Sequence, residues 1–79
     1  MDLREETRKR LGDFLKSARG RTPLAVIAER LEGTDLSLSD STLSRIENGS
    51  VGTPVDRFEI LCWAYRVQYR DLINTLLTR

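Results

Sequence analysis

The 79-residue sequence has no histidine and a single cysteine. Proton transfer by imidazole, Cys/His zinc ligation and an internal disulfide are thereby excluded. A catalyst built on this chain would have to work with carboxylates, lysine or serine alone. A single domain of 79 residues holds a core too small to enclose a deep cavity with ease. The chain is therefore read as a non-enzyme that needs no cofactor and no metal. Long apolar runs are also missing. The longest, Leu24 to Ala28 and Ile60 to Tyr65, fall far short of the ~20 residues that span a bilayer, and the N-terminus is charged rather than signal-like. The expectation is a cytoplasmic protein that does not enter a membrane.

An excess of one charge is absent too. Thirteen Lys/Arg against twelve Asp/Glu leave a formal net charge of +1, whereas proteins that bind polyanions usually carry an obvious basic surplus. The distribution says more than the sum. Residues 1–21 hold Arg4, Arg8, Lys9, Arg10, Lys16, Arg19 and Arg21 against Asp2, Glu5, Glu6 and Asp13. Residues 22–49 hold only Arg30 and Arg45 against Glu29, Glu32, Asp35, Asp40 and Glu47. The first group suits either phosphate contacts or a solvated helix face.

What is present is a succession of short amphipathic segments without repeats or linkers, in which Pro and Gly are read as falling only at punctuation points. Five helices fit. The first, roughly Arg4 to Arg19, places Leu11, Phe14, Leu15 and Ala18 at helical spacing, and Gly20 follows as a stop. Thr22-Pro23 supplies a cap and a first-turn proline for a second helix with Leu24, Ile27, Ala28 and Leu31, closed by Gly33. Gly33 to Ser37 reads as a loop, and a third helix runs from Asp40 to Asn48. After the irregular stretch Gly49 to Pro54, Val55 to Tyr65 forms a fourth helix with Phe58, Leu61, Cys62 and Tyr65 on one side. Cys62, among apolar neighbours, is expected to be an inert buried thiol. A last helix, Arg70 to about Leu77, carries Leu72, Ile73, Leu76 and Leu77, more apolar surface than the end of a small monomer hides easily.

The segment Leu38-Ser39-Asp40-Ser41-Thr42-Leu43-Ser44-Arg45-Ile46-Glu47-Asn48-Gly49 has both ends specified. Ser39 accepts a hydrogen bond from a free first-turn amide, and Asp40 sets negative charge at the positive end of the helix dipole. Leu38 and Leu43 are spaced as a hydrophobic staple, and Asn48-Gly49 forms a left-handed stop. Leu43 and Ile46 share a core face, and mostly short polar side chains cover the rest, so the helix can approach another surface closely.

A helix-turn-helix pair inside a five-helix domain, with the third helix ending Ser44-Arg45-Ile46-Glu47-Asn48-Gly49, resembles the XRE family of lambda and 434 repressor-like DNA-binding domains. The likeness covers roughly residues 8–74, and Pro54, Leu61, Val67 and Asp71-Leu72 follow at family-like distance. It implies an all-α, compact five-helix domain, residues 1–79 forming one unit with its core at about 8–74. Asp40, Ser41, Thr42, Ser44 and Arg45 then face the major groove. Arg45 would meet the O6 and N7 acceptors of a guanine, and Asp40 would accept from a cytosine amine. Ser39 and Asn48 would contact phosphates, and Glu47 would tie helices together. The chain departs from the family pattern twice. The turn between helices two and three is lengthened over Glu32 to Ser37, read as a mild bulge, though a displaced recognition helix or an added backbone contact fits as well. Thr22 and Pro23 stand where many relatives place a phosphate-binding Gln, so Arg19, Arg21 or Thr22 would substitute.

The resemblance implies a sequence-specific regulator of transcription, a repressor that binds double-stranded DNA as a homodimer on a palindromic operator and is nucleoid-associated when bound. A regulatory protein partner is compatible with it. Trp63, Tyr69, Leu72, Ile73, Leu76 and Leu77 are the expected dimer interface. The alternative is a protein-interaction module of antitoxin or anti-repressor type that uses helices four and five.

Overall fold

Leu11 and Leu15 are four residues apart on one face of the first helix and lose all solvent contact, which is the spacing a buried stripe requires. In the computed structural model, which describes residues 4–77, that stripe anchors an all-helical domain. Its elements are α1 (Glu5–Arg19), α2 (Leu24–Leu31), α3 (Asp40–Glu47), a 3₁₀ turn (Val55–Arg57), α4 (Phe58–Tyr65) and α5 (Tyr69–Leu77). Ile27, Leu31, Leu43, Ile46, Phe58, Leu61 and Leu72 are the other large side chains that are buried to the same degree. No helix among the described residues is long and apolar enough to cross a membrane.

Local signals explain most boundaries. Glu5 and Glu6 open α1, and Lys16 and Arg19 close it, each sign opposing the helix dipole. In α2 the helix starts one residue later than Thr22-Pro23 suggests. Pro23 is the extended N-cap, and its carbonyl takes the Val26 amide at 3.0 Å. The fourth helix is likewise shorter than expected, because Val55 to Arg57 winds as a 3₁₀ turn.

The lengthened connection between α2 and α3 is held at its centre rather than looping out as a passive bulge. Thr34 donates its hydroxyl to the Leu31 carbonyl at 2.7 Å and accepts the Leu36 amide at 3.1 Å. Leu36 then enters the core with 7% of its surface exposed. Leu38, two residues on, packs against the same core.

Arg66 ends α4 in the left-handed region, φ 58° and ψ 44°. The Val67 amide reaches the Cys62 carbonyl at 3.0 Å, and the Arg66 amide reaches Trp63 at 3.2 Å. This pair of bonds is a Schellman closure whose left-handed residue is usually glycine. Arg66→Gly should raise stability by about 0.5–1 kcal/mol, the ~1–2 kcal/mol steric penalty less the ~0.5–1 kcal/mol of extra chain entropy that glycine brings. Thermal unfolding of dilute protein checks this through a higher Tm, and a lower one would show that the arginine side chain stabilises more than its backbone costs.

Helix α5 corrects one expectation. Leu72 is fully buried and belongs to the core, not to a dimer interface. Ile73 and Leu76 pack against the same core at half burial, because α5 lies across α1 and α4. Of the apolar residues expected to face a partner, Trp63, Tyr69 and Leu77 are the exposed ones, at 61%, 40% and 75%.

Candidate nucleic-acid interface

At roughly 100° per residue, Leu43, Ile46 and Glu47 occupy one narrow arc of α3, and all three are buried. Ser41, Ser44 and Arg45 are exposed on the opposite arc with Asn48, while Asp40, exposed, and Thr42, half-buried, flank the buried arc on its two sides. Of the five expected base-reading residues, Ser41, Ser44 and Arg45 share the outward face, and Asp40 and Thr42 stand at its two edges. The Ser39 hydroxyl accepts the Thr42 amide at 3.2 Å and lies 3.1 and 3.0 Å from the hydroxyls of Ser41 and Thr42. Ser39 is thereby occupied as a cap. At the other end, the Ser50 amide reaches Arg45 and the Gly49 amide reaches Ile46, at 2.9 and 3.2 Å. These bonds close α3 over Gly49, whose φ is 80°.

This helix is positioned by a buried carboxylate. Glu47, 5% exposed, receives Arg19 Nε at 2.8 Å on Oε2 and Arg19 Nη2 at 2.8 Å on Oε1. The Tyr65 hydroxyl donates to Oε2 at 2.7 Å. Arg19 also gives Nη1 to the Thr22 carbonyl at 2.9 Å, so one side chain joins α1, the start of α2 and the end of α3. The hydrogen bonds to Glu47 raise the Arg19 pKa, helped by the charge of Glu47 and opposed by burial. Burial pushes the Tyr65 hydroxyl far above its ordinary range, and its bond to Glu47 adds to this, so the phenol stays a donor. The inferred tie between helices through Glu47 is therefore present. Arg19, expected among the phosphate contacts, is corrected to a structural role, because its fork is spent inside the domain.

Backbone contact between α1 and α3 was not foreseen. Gly12 is buried inside α1, where a Cβ would lie 2.6 Å from both the Glu47 carbonyl carbon and the Ile46 oxygen. It is no punctuation point. Its position on the Leu11 and Leu15 side of an otherwise good helix was the available signal. One turn earlier, Arg8 Nε donates to the Gly49 carbonyl at 3.3 Å, and a Cβ on Gly49 would meet Lys9 Cγ at 2.9 Å. Arg8 and Lys9 therefore stand beside the closing end of α3.

The remaining phosphate candidates separate on this geometry. Arg21 is exposed. Thr22 is half-buried with its carbonyl engaged by Arg19. Asn48 is exposed, and its Oδ1 accepts both the Ser50 amide at 3.2 Å and the Ser50 hydroxyl at 2.7 Å. A backbone amide only donates, so the amide orientation is set and the Asn48 NH₂ is left as the outward donor. Charge is polarised along α3. Its start borders an open hollow of about 470 Å³ lined by Glu29, Glu32 and Asp40, while Arg45, Arg8 and Lys9 gather at its end. A phosphate is favoured at the second end and repelled at the first.

A family model described as a helix-turn-helix domain matches residues 10–76. No curated protein matches the chain.

Proposed function

The chain belongs to the helix-turn-helix domain family, as its likeness to lambda and 434 repressor-like domains implied, and from that membership we propose that it is a sequence-specific regulator of transcription. In this reading α3 enters the major groove of double-stranded DNA as the second helix of the pair. Arg45 is the main reader, and Ser41, Thr42 and Ser44 make shorter contacts. Asp40 accepts from a cytosine amine, a contact available only at the base edge. Phosphates are held by the Asn48 NH₂ and by Arg21, with Lys9 at the basic end of α3. The protein acts as a homodimer on a palindromic operator, its two α3 helices in successive major grooves about 34 Å apart. Occupancy of the operator then represses transcription by excluding polymerase.

The observation that carries this reading is the exposed polar arc of α3, which ends in an Arg45 side chain with no internal partner among the described residues. Selection of the purified protein on random duplex DNA should recover a palindrome. Arg45→Ala should lose about 1–3 kcal/mol at one symmetric base pair while the fold is unchanged. The same position losing no information in the variant would remove Arg45 as the reader. A low slope of log affinity against log salt is also expected, because each neutralised phosphate contributes about −0.9 and few cations face the groove. A second reading, a protein-interaction module working through α4, is favoured by the exposure of Trp63. It requires Arg45→Ala to leave function intact.

A further inference from the structure

Trp63, the only tryptophan in the chain, lies on α4 with 61% of its surface exposed. Large aromatic side chains are normally among the more buried residues of a small domain. Beside it is an open hollow of about 290 Å³ lined by Trp63, Ile60, Glu59 and Thr34. Ile60 and Glu59 precede Trp63 by three and four residues, so they are its neighbours one turn back on the helix surface. Thr34 comes from the lengthened connection between α2 and α3, where its hydroxyl donates to the Leu31 carbonyl at 2.7 Å and accepts the Leu36 amide at 3.1 Å. With that hydroxyl engaged in both directions, the wall that the connection adds is largely a methyl group.

The charge around this apolar hollow has one sign. Among the described residues, Glu59 is the only charged one that lines it, and it is exposed. Asp35, next to Thr34, is exposed as well. Neither forms an ion pair among the described residues. No basic residue lies within α4. Arg30 of α2, which reaches this helix, is half-buried and gives Nη1 to the Ala64 carbonyl at 2.8 Å. Arg66, beyond the end of α4, lines a different hollow with Phe14, Val67 and Asp71. The face of an indole ring is negative and draws cations, most strongly where water is excluded, and a carboxylate one turn away adds to that attraction. A nucleic acid stacked on the same ring would instead bring its phosphates against Glu59 and Asp35.

We propose that this hollow docks a cationic segment of another protein, one that carries an arginine or lysine within a turn of a large apolar side chain. The apolar side chain seats on Ile60 beside the Trp63 ring, and the cation lies between that ring and the Glu59 carboxylate. Tryptophan is among the residues that most often anchor protein contacts, and arginine is enriched at the same anchor points. The contact uses no residue of α3, so it is a second binding face apart from the arc that carries Arg45 and does not rest on the DNA-binding reading. The lengthened connection contributes by position: Leu36 pins it to the core, which holds Thr34 at the edge of the hollow.

The test contains no DNA, so its failure would leave base reading by Arg45 where it stands. Selection of a random peptide library on the full chain should enrich peptides with an arginine or lysine within a turn of leucine or phenylalanine, and added peptide should shift Trp63 emission to the blue. By calorimetry with the selected peptide, Trp63→Ser should weaken binding at least about 30-fold, the effect of losing a central anchor. Glu59→Gln should weaken it by roughly tenfold, and Glu59→Lys should turn the selection toward acidic peptides. All three replace exposed side chains, and an unchanged Tm shows that the fold is kept. Equal enrichment of acidic or uncharged peptides, no enrichment at all, or binding indifferent to Trp63→Ser and Glu59→Gln would each overturn the proposal. So would a blue shift on concentrating the chain alone or on adding duplex DNA, which would assign the hollow to a second copy or to nucleic acid.

Discussion

Replacing Gly12 with alanine should lower the stability of the domain by about 3 kcal/mol, at the upper end of what overpacking costs. Helix propensity alone predicts the opposite sign, since alanine in a helix interior is favoured over glycine by roughly 0.5–1 kcal/mol. Tertiary contact decides. A Cβ here would lie 2.6 Å from the Glu47 carbonyl carbon and the Ile46 oxygen, and these are backbone atoms that cannot turn aside as a side chain would. Helix α1 must move off α3, which opens the contact around Leu11, Leu15, Leu43 and Ile46. For a domain of this size the loss corresponds to a fall in Tm of roughly 12–24 °C. A Tm equal to or above wild type would show that the two helices slide apart freely. DNA affinity should fall in parallel, because the displaced backbone is the last turn of the helix that presents Arg45.

Arg19→Met should be comparably severe, at about 3 kcal/mol. Arg19 and Glu47 have side-chain exposures of 17% and 4%, which distinguishes the pair from a surface salt bridge of 0–1 kcal/mol. Removing the arginine leaves a buried carboxylate with only the Tyr65 hydroxyl, and breaking a buried pair from one side typically costs 3–5 kcal/mol. The low end is expected because Tyr65 remains as a donor. Against a total stability on the order of 4–12 kcal/mol for 79 residues, this is a large share. Removing the whole network by Arg19→Met, Glu47→Leu and Tyr65→Phe together should recover most of the loss, since the penalty comes from the orphaned charge rather than from the missing attraction. Urea unfolding of the single and triple variants measures both quantities. A loss under about 1 kcal/mol for the single variant would place the pair among ordinary surface ion pairs.

Both predictions bear on the end of α3, and the sequence showed that helix more clearly than its support. Ser39 and Asn48-Gly49 specify its limits through bonds a few residues apart, and Leu43 and Ile46 define its inner face by spacing alone. The structure keeps those assignments. The partners of Glu47 lie far off in sequence, Arg19 in α1 and Tyr65 in α4. An arginine near the end of an amphipathic helix therefore looked as fit for a phosphate as for a buried acid. Leu36 looked like part of a polar turn because nothing local distinguishes a leucine that docks from one that does not. Leu72 looked like a candidate for a partner subunit for the same reason.

By itself the sequence determined the helical class, the bounds of most helices, the inward and outward faces of α3, and the family to which the chain belongs. These rest on capping, glycine stops and apolar periodicity, all of which act over one or two turns. Tertiary structure alone decided that Gly12 is a point of backbone contact, that Arg19 is a brace and not a phosphate ligand, that the lengthened connection is anchored by Leu36, and that Leu72 is core while Trp63 stays exposed. Each of these depends on which segments meet in space, and a solvated arginine, glycine or leucine carries no local mark of the distant group that will claim it.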